Sequence, residues 1–207
     1  MIKLKPIHII CLKLVIHCLA LLPILLTYYQ AINDKLGADP VEAILHFTGI
    51  GAFNLLLLSL LVSPMAKFTR QALLIRIRRL LGLYAFLYAL CHFVSYIVFE
   101  LQFEWSLLLS EIIKRPYITV GFLAFLILSV LTLTSTQFMQ RKMGRKWQQL
   151  HNWVYLAGLL VALHFIWSVK SDMIEPLIYW TILLILLNLR RKKLLKYVNR
   201  SSANKVK

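Results

Sequence analysis

The sequence predicts an all-α integral membrane protein, a bundle of six transmembrane helices with both chain termini on the cytoplasmic side. Three features indicate this fold: the composition, the spacing of the apolar runs and the placement of the charges. Of the 207 residues, 60% are hydrophobic, whereas soluble domains average about 45–50% apolar residues. A chain of this length has no room for both a spanning bundle and a sizeable soluble catalytic domain. Any chemistry is therefore expected in the bundle or on a partner.

Six apolar runs supply the helices, because each approaches or reaches the roughly 20 residues that cross a hydrocarbon core. The first run follows Lys3 and Lys5 as in a signal peptide, but it is long and no small-x-small cleavage site follows it. We therefore interpret it as a retained helix. The Arg115-Pro116-Tyr117 segment marks a helix start, since proline lacks only a donor that would be unpaired in the first turn anyway. The predicted helices cover residues 8–30, 43–63, 80–99, 117–136, 149–169 and 174–189, the last being the shortest.

Charges alternate between the connecting segments and so predict the orientation. Lysine and arginine crowd the N-terminus, the loops at 64–79 and 137–148, and the tail after residue 189. Since such residues are retained in the cytoplasm, the acidic loops are expected outside. The formal net charge of +16 is then an orientation signal and not a sign of nucleic-acid binding. All eight acids lie in the other three loops: Asp34, Asp39, Glu42, Glu100, Glu104, Glu111, Asp172 and Glu175.

Two of the six histidines match in depth across two helices. His8 and His46 lie within a turn of helix ends, where an imidazole reaches the headgroup layer. His92 and His164 instead lie roughly 10 Å and roughly 8 Å below the outer ends of their helices, at about 1.5 Å per residue. Two neutral imidazoles at one level, one per helix, are able to clamp a haem iron. The competing interpretation is a structural hydrogen bond between the helices.

His151 lies nearer the inner end of the same helix as His164, about 20 Å away along the axis. This interval suits two stacked haems, or one haem and one site where electrons enter. The angle fits less well, because thirteen residues leave the two rings about 140° apart on an ideal helix. A shared stripe therefore needs a bulge or bend, which Gly158 would permit.

Four segments resemble a known family, the haem-binding membrane subunits of periplasmic methionine sulfoxide reductase systems (MsrQ or YedZ), within the ferric-reductase-like transmembrane superfamily. They are HFTGIGAFNLLLLSLLVSP, RRLLGLYAFLYALCHF, KRPYITVGFLAFLILS and WQQLHNWVYLAGLLVALHFIWSVK, which cover helices two to five in order. The resemblance implies a haem-binding domain at 43–189, preceded by a first helix and outer loop at 1–42 and followed by a basic cytoplasmic tail at 190–207. It also implies a multi-pass protein of the bacterial inner membrane.

The same resemblance implies the cofactors, the partners and the haem-associated histidines, His92, His151 and His164. Haem b is expected as the redox centre, with one or two haems and an accompanying flavin mononucleotide. Electrons would come from the quinone pool or a cytoplasmic flavin reductase. They would go to a periplasmic molybdopterin-containing subunit that repairs oxidised methionines, so the chain itself would carry no substrate chemistry.

The chain departs from larger members of the superfamily at the inner site. Those members hold two haems with four histidines, but Arg79 and Arg78 stand here at the positions of the inner ligand on helix three. His17 has a similar inner depth to His151, and it is either a substitute ligand or a polar packing contact. Larger relatives carry a nucleotide- and flavin-binding domain after the last helix, whereas residues 190–207 show no GxGxxG motif, so the chain is not expected to oxidise NAD(P)H alone. The basic loop at 137–148 would either hold a flavin phosphate or dock an acidic reductase, or its charges only set the orientation. The residues concerned are Arg141, Lys142, Arg145 and Lys146.

Three functions follow from these observations. The leading one is a haem-bearing electron conduit between the two membrane faces. A haem-containing reductase acting on ferric iron or oxygen at the outer face would use the same site with another acceptor. A small proton or cation transporter is the third, but transporters usually show broken helices and a buried carboxylate, and no acid lies at mid-membrane depth here.

Overall fold

The computed structural model describes residues 4–169 and 173–191, and helices make up almost all of this part of the chain. No strand occurs within these two ranges, so the predicted all-α class is confirmed. Most of the predicted tail at 190–207 lies outside the described residues. The α-helices are α1 (Pro6–Ile32), α2 (Pro40–Phe68), α3 (Ile75–Ser95), α4 (Trp105–Lys114), α5 (Pro116–Leu133), α6 (Gln137–Met143), α7 (Arg145–His151), α8 (Val154–Ser168) and α9 (Ile174–Leu189).

Five helical segments are long and apolar enough to cross a membrane: Pro6–Ile32, Pro40–Phe68, Ala72–Glu100, Pro116–Leu133 and Arg145–Ser168. The third joins α3 to a short 3₁₀ turn before it and a π-helical turn, Tyr96–Glu100, after it. The fifth joins α7 to α8. The sixth predicted run is α9, which has 16 residues and spans about 24 Å at 1.5 Å per residue. The chain is therefore a multi-pass membrane bundle, and its orientation stays a prediction.

Helix starts follow from local sequence. Proline opens α1, α2 and α5 as Pro6, Pro40 and Pro116, where its missing N–H removes no helical bond. The Asp39 carboxylate caps α2 by accepting a hydrogen bond from the backbone N–H of Glu42 at 2.9 Å. The helix start predicted at Arg115-Pro116-Tyr117 is thus confirmed.

Two helix pairs form the centre of the bundle, α2 with α3 and α5 with α8, and α9 packs against α8 and α2. Their shared core includes Phe53, Leu60, Ala85, Ala157 and Leu183, each no more than 1% exposed. The small side chains in this set let neighbouring backbones approach closely, as is usual between helices in membranes. The central pairs therefore set the positions of the histidines on α3 and α8.

Helix α1 lies at the edge of the bundle and is joined to α3 by polar contacts. The Tyr88 hydroxyl donates to the Ala20 carbonyl oxygen at 2.7 Å, and the Tyr28 and Ser95 hydroxyls are 2.7 Å apart. Most large apolar side chains of α1 are exposed, as expected for a helix that borders lipid. Helix α1 thus supports α3 without entering the main core.

Candidate functional site

The structure brings the two depth-matched histidines together. The ring centres of His92 on α3 and His164 on α8 are 6.2 Å apart, and the ring planes are 82° apart. The two helices place these rings inside the bundle, between α2 and α5. The juxtaposition expected from the sequence is therefore present in the fold.

Each imidazole is held by a backbone carbonyl of the preceding central helix. His92 Nδ1 donates to the Leu45 carbonyl oxygen at 2.9 Å, and His164 Nδ1 donates to the Tyr117 carbonyl oxygen at 2.8 Å. A carbonyl only accepts hydrogen bonds, so in each neutral ring the proton lies on Nδ1 and Nε2 carries a lone pair. Neither Nε2 has a hydrogen-bond partner within residues 4–169 and 173–191. This excludes a hydrogen bond between the two neutral rings.

Glycine on the neighbouring helix makes room for each ring. A Cβ atom at Gly121 would lie 2.6 Å from His164 Nδ1, and one at Gly49 would lie 3.2 Å from His92 Nδ1. Both distances are shorter than ordinary van der Waals contact. Helix α5 and, less severely, α2 can therefore approach these imidazoles only because the two positions lack a side chain.

The two helix pairs repeat one arrangement. In each pair the accepting carbonyl precedes its histidine by 47 residues, and the glycine precedes it by 43, from Gly49 to His92 and from Gly121 to His164. The two halves also match at other positions of this repeat, such as Phe53 with Phe125 and Phe93 with Phe165. The equal glycine-to-histidine spacing is the sequence signal of the repeat, which the length of the apolar runs and the depth of the histidines do not reveal.

Aromatic side chains surround the pair on the α3 and α5 side. Phe93 packs against Phe125 and Phe122 with ring centres 4.8 Å and 5.8 Å apart, and the Tyr117 ring centre lies 6.1 Å from that of His164. The phenylalanine rings thus form an apolar layer between α3 and α5, and Tyr117 brings one aromatic ring to His164. Apolar surroundings suit a flat, largely apolar group that has a metal at its centre.

The residues present fit a haem iron by their chemistry. Imidazole nitrogen is a ligand that haem iron takes, each Nε2 carries a lone pair, and the two ring centres lie 6.2 Å apart. His92 and His164 are therefore the residues that would hold such a group.

His151 has the same bare nitrogen at the other end of the bundle. Its Nδ1 donates to the Trp147 carbonyl oxygen at 3.2 Å, and its ring stacks on the Trp147 indole with centres 3.9 Å apart. Its Nε2 is buried and has no hydrogen-bond partner in the part of the chain that the structure describes. Trp147 is itself fixed, since its indole N–H donates to the Thr134 carbonyl oxygen at 2.8 Å.

A break in the helix separates His151 from His164, but not at Gly158. Helix α7 ends at His151 and α8 begins at Val154, so the interruption falls at Asn152 and Trp153. Helix α8 runs through Gly158, where a Cβ atom would lie 3.3 Å from Leu183 Cδ1. Gly158 was expected to permit a bend, but the interruption lies six residues earlier, and Gly158 serves close packing against α9.

The remaining histidines lie apart from the pair. His17 on α1 makes a short hydrogen bond with the Tyr84 hydroxyl and packs edge-on against its ring, which is the polar packing contact considered above. His8 accepts a hydrogen bond from the Lys5 N–H, and His46 lies 3.5 Å from a Glu175 oxygen. The last two are exposed near helix ends, as expected.

The four candidate docking residues form an exposed basic elbow between α6 and α7. Gly144 turns the chain there with φ 52, a conformation that favours glycine. The Lys142 ammonium lies 5.8 Å from the Phe138 ring centre. The exposed side chains are Arg141, Lys142, Arg145 and Lys146.

Comparisons with known proteins agree on one family. Residues 48–162, more than half of the chain, match the family model described as the ferric reductase like transmembrane component. This range includes His92 and His151 and ends just before His164. The chain is 50% identical to the protein-methionine-sulfoxide reductase heme-binding subunit MsrQ of Salmonella dublin, over 88% of this chain and 92% of that protein.

Further relatives carry the same name. The MsrQ subunit of Salmonella arizonae is 49% identical over 90% of this chain and 94% of its own length, and that of Salmonella paratyphi B is 49% identical over 88% and 92%. No solved structure matches the chain significantly. From its likeness over nearly its whole length, the chain belongs to the MsrQ family of haem-binding subunits within the ferric reductase like transmembrane proteins.

Proposed function

We propose that this protein is a haem b electron-transfer subunit of a methionine sulfoxide reductase system. It would take electrons from the quinone pool or a cytoplasmic flavin reductase and pass them to a periplasmic molybdopterin-containing catalytic subunit. The relatives are heme-binding subunits of protein-methionine-sulfoxide reductase by name, which supports the cofactor and the system. The donor and the molybdopterin rest on the family resemblance.

The single observation that carries the proposal is the pair of facing imidazoles on α3 and α8. His92 and His164 would hold the haem iron, which when bound supplies one-electron chemistry. The carbonyl oxygens of Leu45 and Tyr117 keep the ring protons on Nδ1 and so keep each Nε2 able to coordinate a metal. Both Nε2 atoms would therefore be free to coordinate the iron.

His151 lies at the opposite end of the proposed electron-transfer path from the histidine pair. Its buried Nε2 lone pair suits either a ligand to a second haem or an acceptor for a hydroxyl proton of a quinol. The basic elbow offers cations for a flavin phosphate or for an acidic reductase surface. We propose that this end is where electrons enter, with flavin mononucleotide as the expected second cofactor.

The experiment uses purified protein in detergent, kept anaerobic, with the haem absorbance as the readout. A quinol, or NADH with a flavin reductase, should reduce the haem. The catalytic subunit should then reoxidise it, but only when methionine sulfoxide is present. If ferric iron or oxygen reoxidises the haem and the catalytic subunit does not, the protein is a reductase of the outer face and the assigned acceptor is wrong.

A further inference from the structure

A buried arginine lies at the end of the bundle opposite the histidine pair. Arg190, at the C-terminus of α9, is 6% exposed. One terminal nitrogen donates to the Tyr155 hydroxyl at 2.8 Å, and the other donates to the Leu60 carbonyl oxygen. Its Nε is buried without any partner in the described ranges. Such an orphaned charged donor is rare because it costs desolvation without compensation.

A second arginine lies within electrostatic range of the first. Arg78 on α3 interacts electrostatically with both Arg190 and Tyr155. It is half-buried, and within residues 4–169 and 173–191 it makes no hydrogen bond or ion pair. The two guanidinium groups therefore repel each other across a region of low dielectric constant.

No acid among the described residues is placed to neutralise them. The sequence has no aspartate or glutamate at 43–99, 112–171 or 176–207. The two ion pairs among the described residues involve Glu175 and Glu111, both at the other end of the bundle. The C-terminus of α9 offers only about half a negative charge. An anion from outside the described residues would balance the site.

We propose that Arg78, Arg190 and Tyr155 form a phosphate-binding site at this end of the bundle. Arginine binds phosphate through paired N–H donors. A phosphomonoester carries about 1.5 to 2 negative charges and so balances two guanidinium groups better than one carboxylate does, whereas the phosphodiester of a lipid supplies one negative charge. The Tyr155 hydroxyl accepts from Arg190 and keeps its own proton to donate to the anion. The phosphate belongs either to a soluble molecule or to a lipid headgroup, and the proposal does not depend on haem binding.

The test measures the thermal unfolding midpoint of the full chain in lipid nanodiscs. One arm adds inorganic phosphate to discs of phosphatidylcholine, at ionic strength held constant with chloride. The other arm compares discs of phosphatidylcholine alone with discs that also contain phosphatidylglycerol. The variants are Arg78→Gln and Arg190→Gln, with matched controls at the exposed neighbours, Arg79→Gln and Arg191→Gln.

A bound anion should raise the midpoint of the wild type and of both control variants, saturably and by about 2–4 °C. The rise should be lost in Arg78→Gln. This variant decides the test if Arg190→Gln fails to fold, because Arg78 makes no hydrogen bond within the described ranges. A rise with inorganic phosphate identifies a soluble source, and a rise with phosphatidylglycerol alone identifies a lipid. No rise in either arm, or equal rises in Arg78→Gln and Arg79→Gln, overturns the proposal.

Discussion

At the scale of single residues, the site depends on what lies behind each imidazole. His92 and His164 each donate from Nδ1 to a carbonyl oxygen, and this leaves the opposite nitrogen bare. Without such a hydrogen bond, neither the tautomer nor the orientation of the ring would be fixed. These hydrogen bonds therefore prepare both rings for the same task, although their partners lie 47 residues earlier in the chain.

Haem binding should depend on the glycine beside His164. In Gly121→Ala the new Cβ would meet His164 Nδ1 at 2.6 Å, so the ring must move. Overpacking of this kind costs about 1–3 kcal/mol, and we expect the haem content per protein to fall. Gly82→Ala is the control, since its nearest neighbour atom would lie at 3.8 Å. Wild-type haem content in both variants would show that the ring tolerates the contact.

At the scale of helices, the break between α7 and α8 divides the two levels of the site. His151 belongs to the short helix before Asn152, where Trp147 supports it from one turn away. His164 belongs to the long helix after it. The two histidines are about 20 Å apart along the axis, too far for both to touch one cofactor ring. On the proposed function they would therefore serve different steps of electron transfer.

Replacing His151 should affect the entry of electrons and not the outer haem. In His151→Ala we expect the outer haem to stay bound, because His92 and His164 are unchanged. Its reduction by quinol or by a flavin reductase should slow severalfold, while reduction by dithionite should proceed as before. Stopped-flow absorbance measures both rates, with His8→Ala as the control. A wild-type rate with the physiological donor would make His151 a packing residue.

The helices and the depth of the histidines were predictable from sequence, but their partners were not. Apolar run length and rise per residue are local properties, and each of the six predicted runs corresponds to a helix. The carbonyl of Tyr117 and the space at Gly121 depend on how α5 packs against α8, which no local pattern encodes. The amphipathic α4 and the short α6 were not predicted, because their charged residues led us to treat these segments as loops. Gly158 was expected to permit a bend in the helix, but its missing side chain lets Leu183 pack closely there.

At the scale of the whole molecule, the two sites lie at opposite ends of the bundle, and the loops at these ends carry opposite charge. The histidine pair lies toward the ends of α3 and α8 that lead into acidic loops. The arginines Arg78 and Arg190 lie toward the basic ends. If basic segments face the cytoplasm, the pair lies in the periplasmic half, near the expected acceptor. The direction of electron flow then follows from the orientation.

Reporter fusions test that orientation. A reporter that works only in the cytoplasm should be active when fused after Lys207, because the basic segments are retained inside. The same reporter placed after Glu104, in the second acidic loop, should be inactive. Alkaline phosphatase, which works only in the periplasm, should give the opposite pattern. Alkaline phosphatase activity after Lys207 would contradict both the topology and the assigned direction of electron flow.

The central claim is that one haem iron is held between His92 and His164, and haem content per protein tests it most directly. His92→Ala and His164→Ala should each lose the same share of the dithionite-reduced haem absorbance of the purified protein, since either ligand is needed. The double variant should lose no more than either single variant. His46→Ala, whose exposed ring lies near Glu175, should keep wild-type content. Full haem occupancy in His164→Ala would contradict the account.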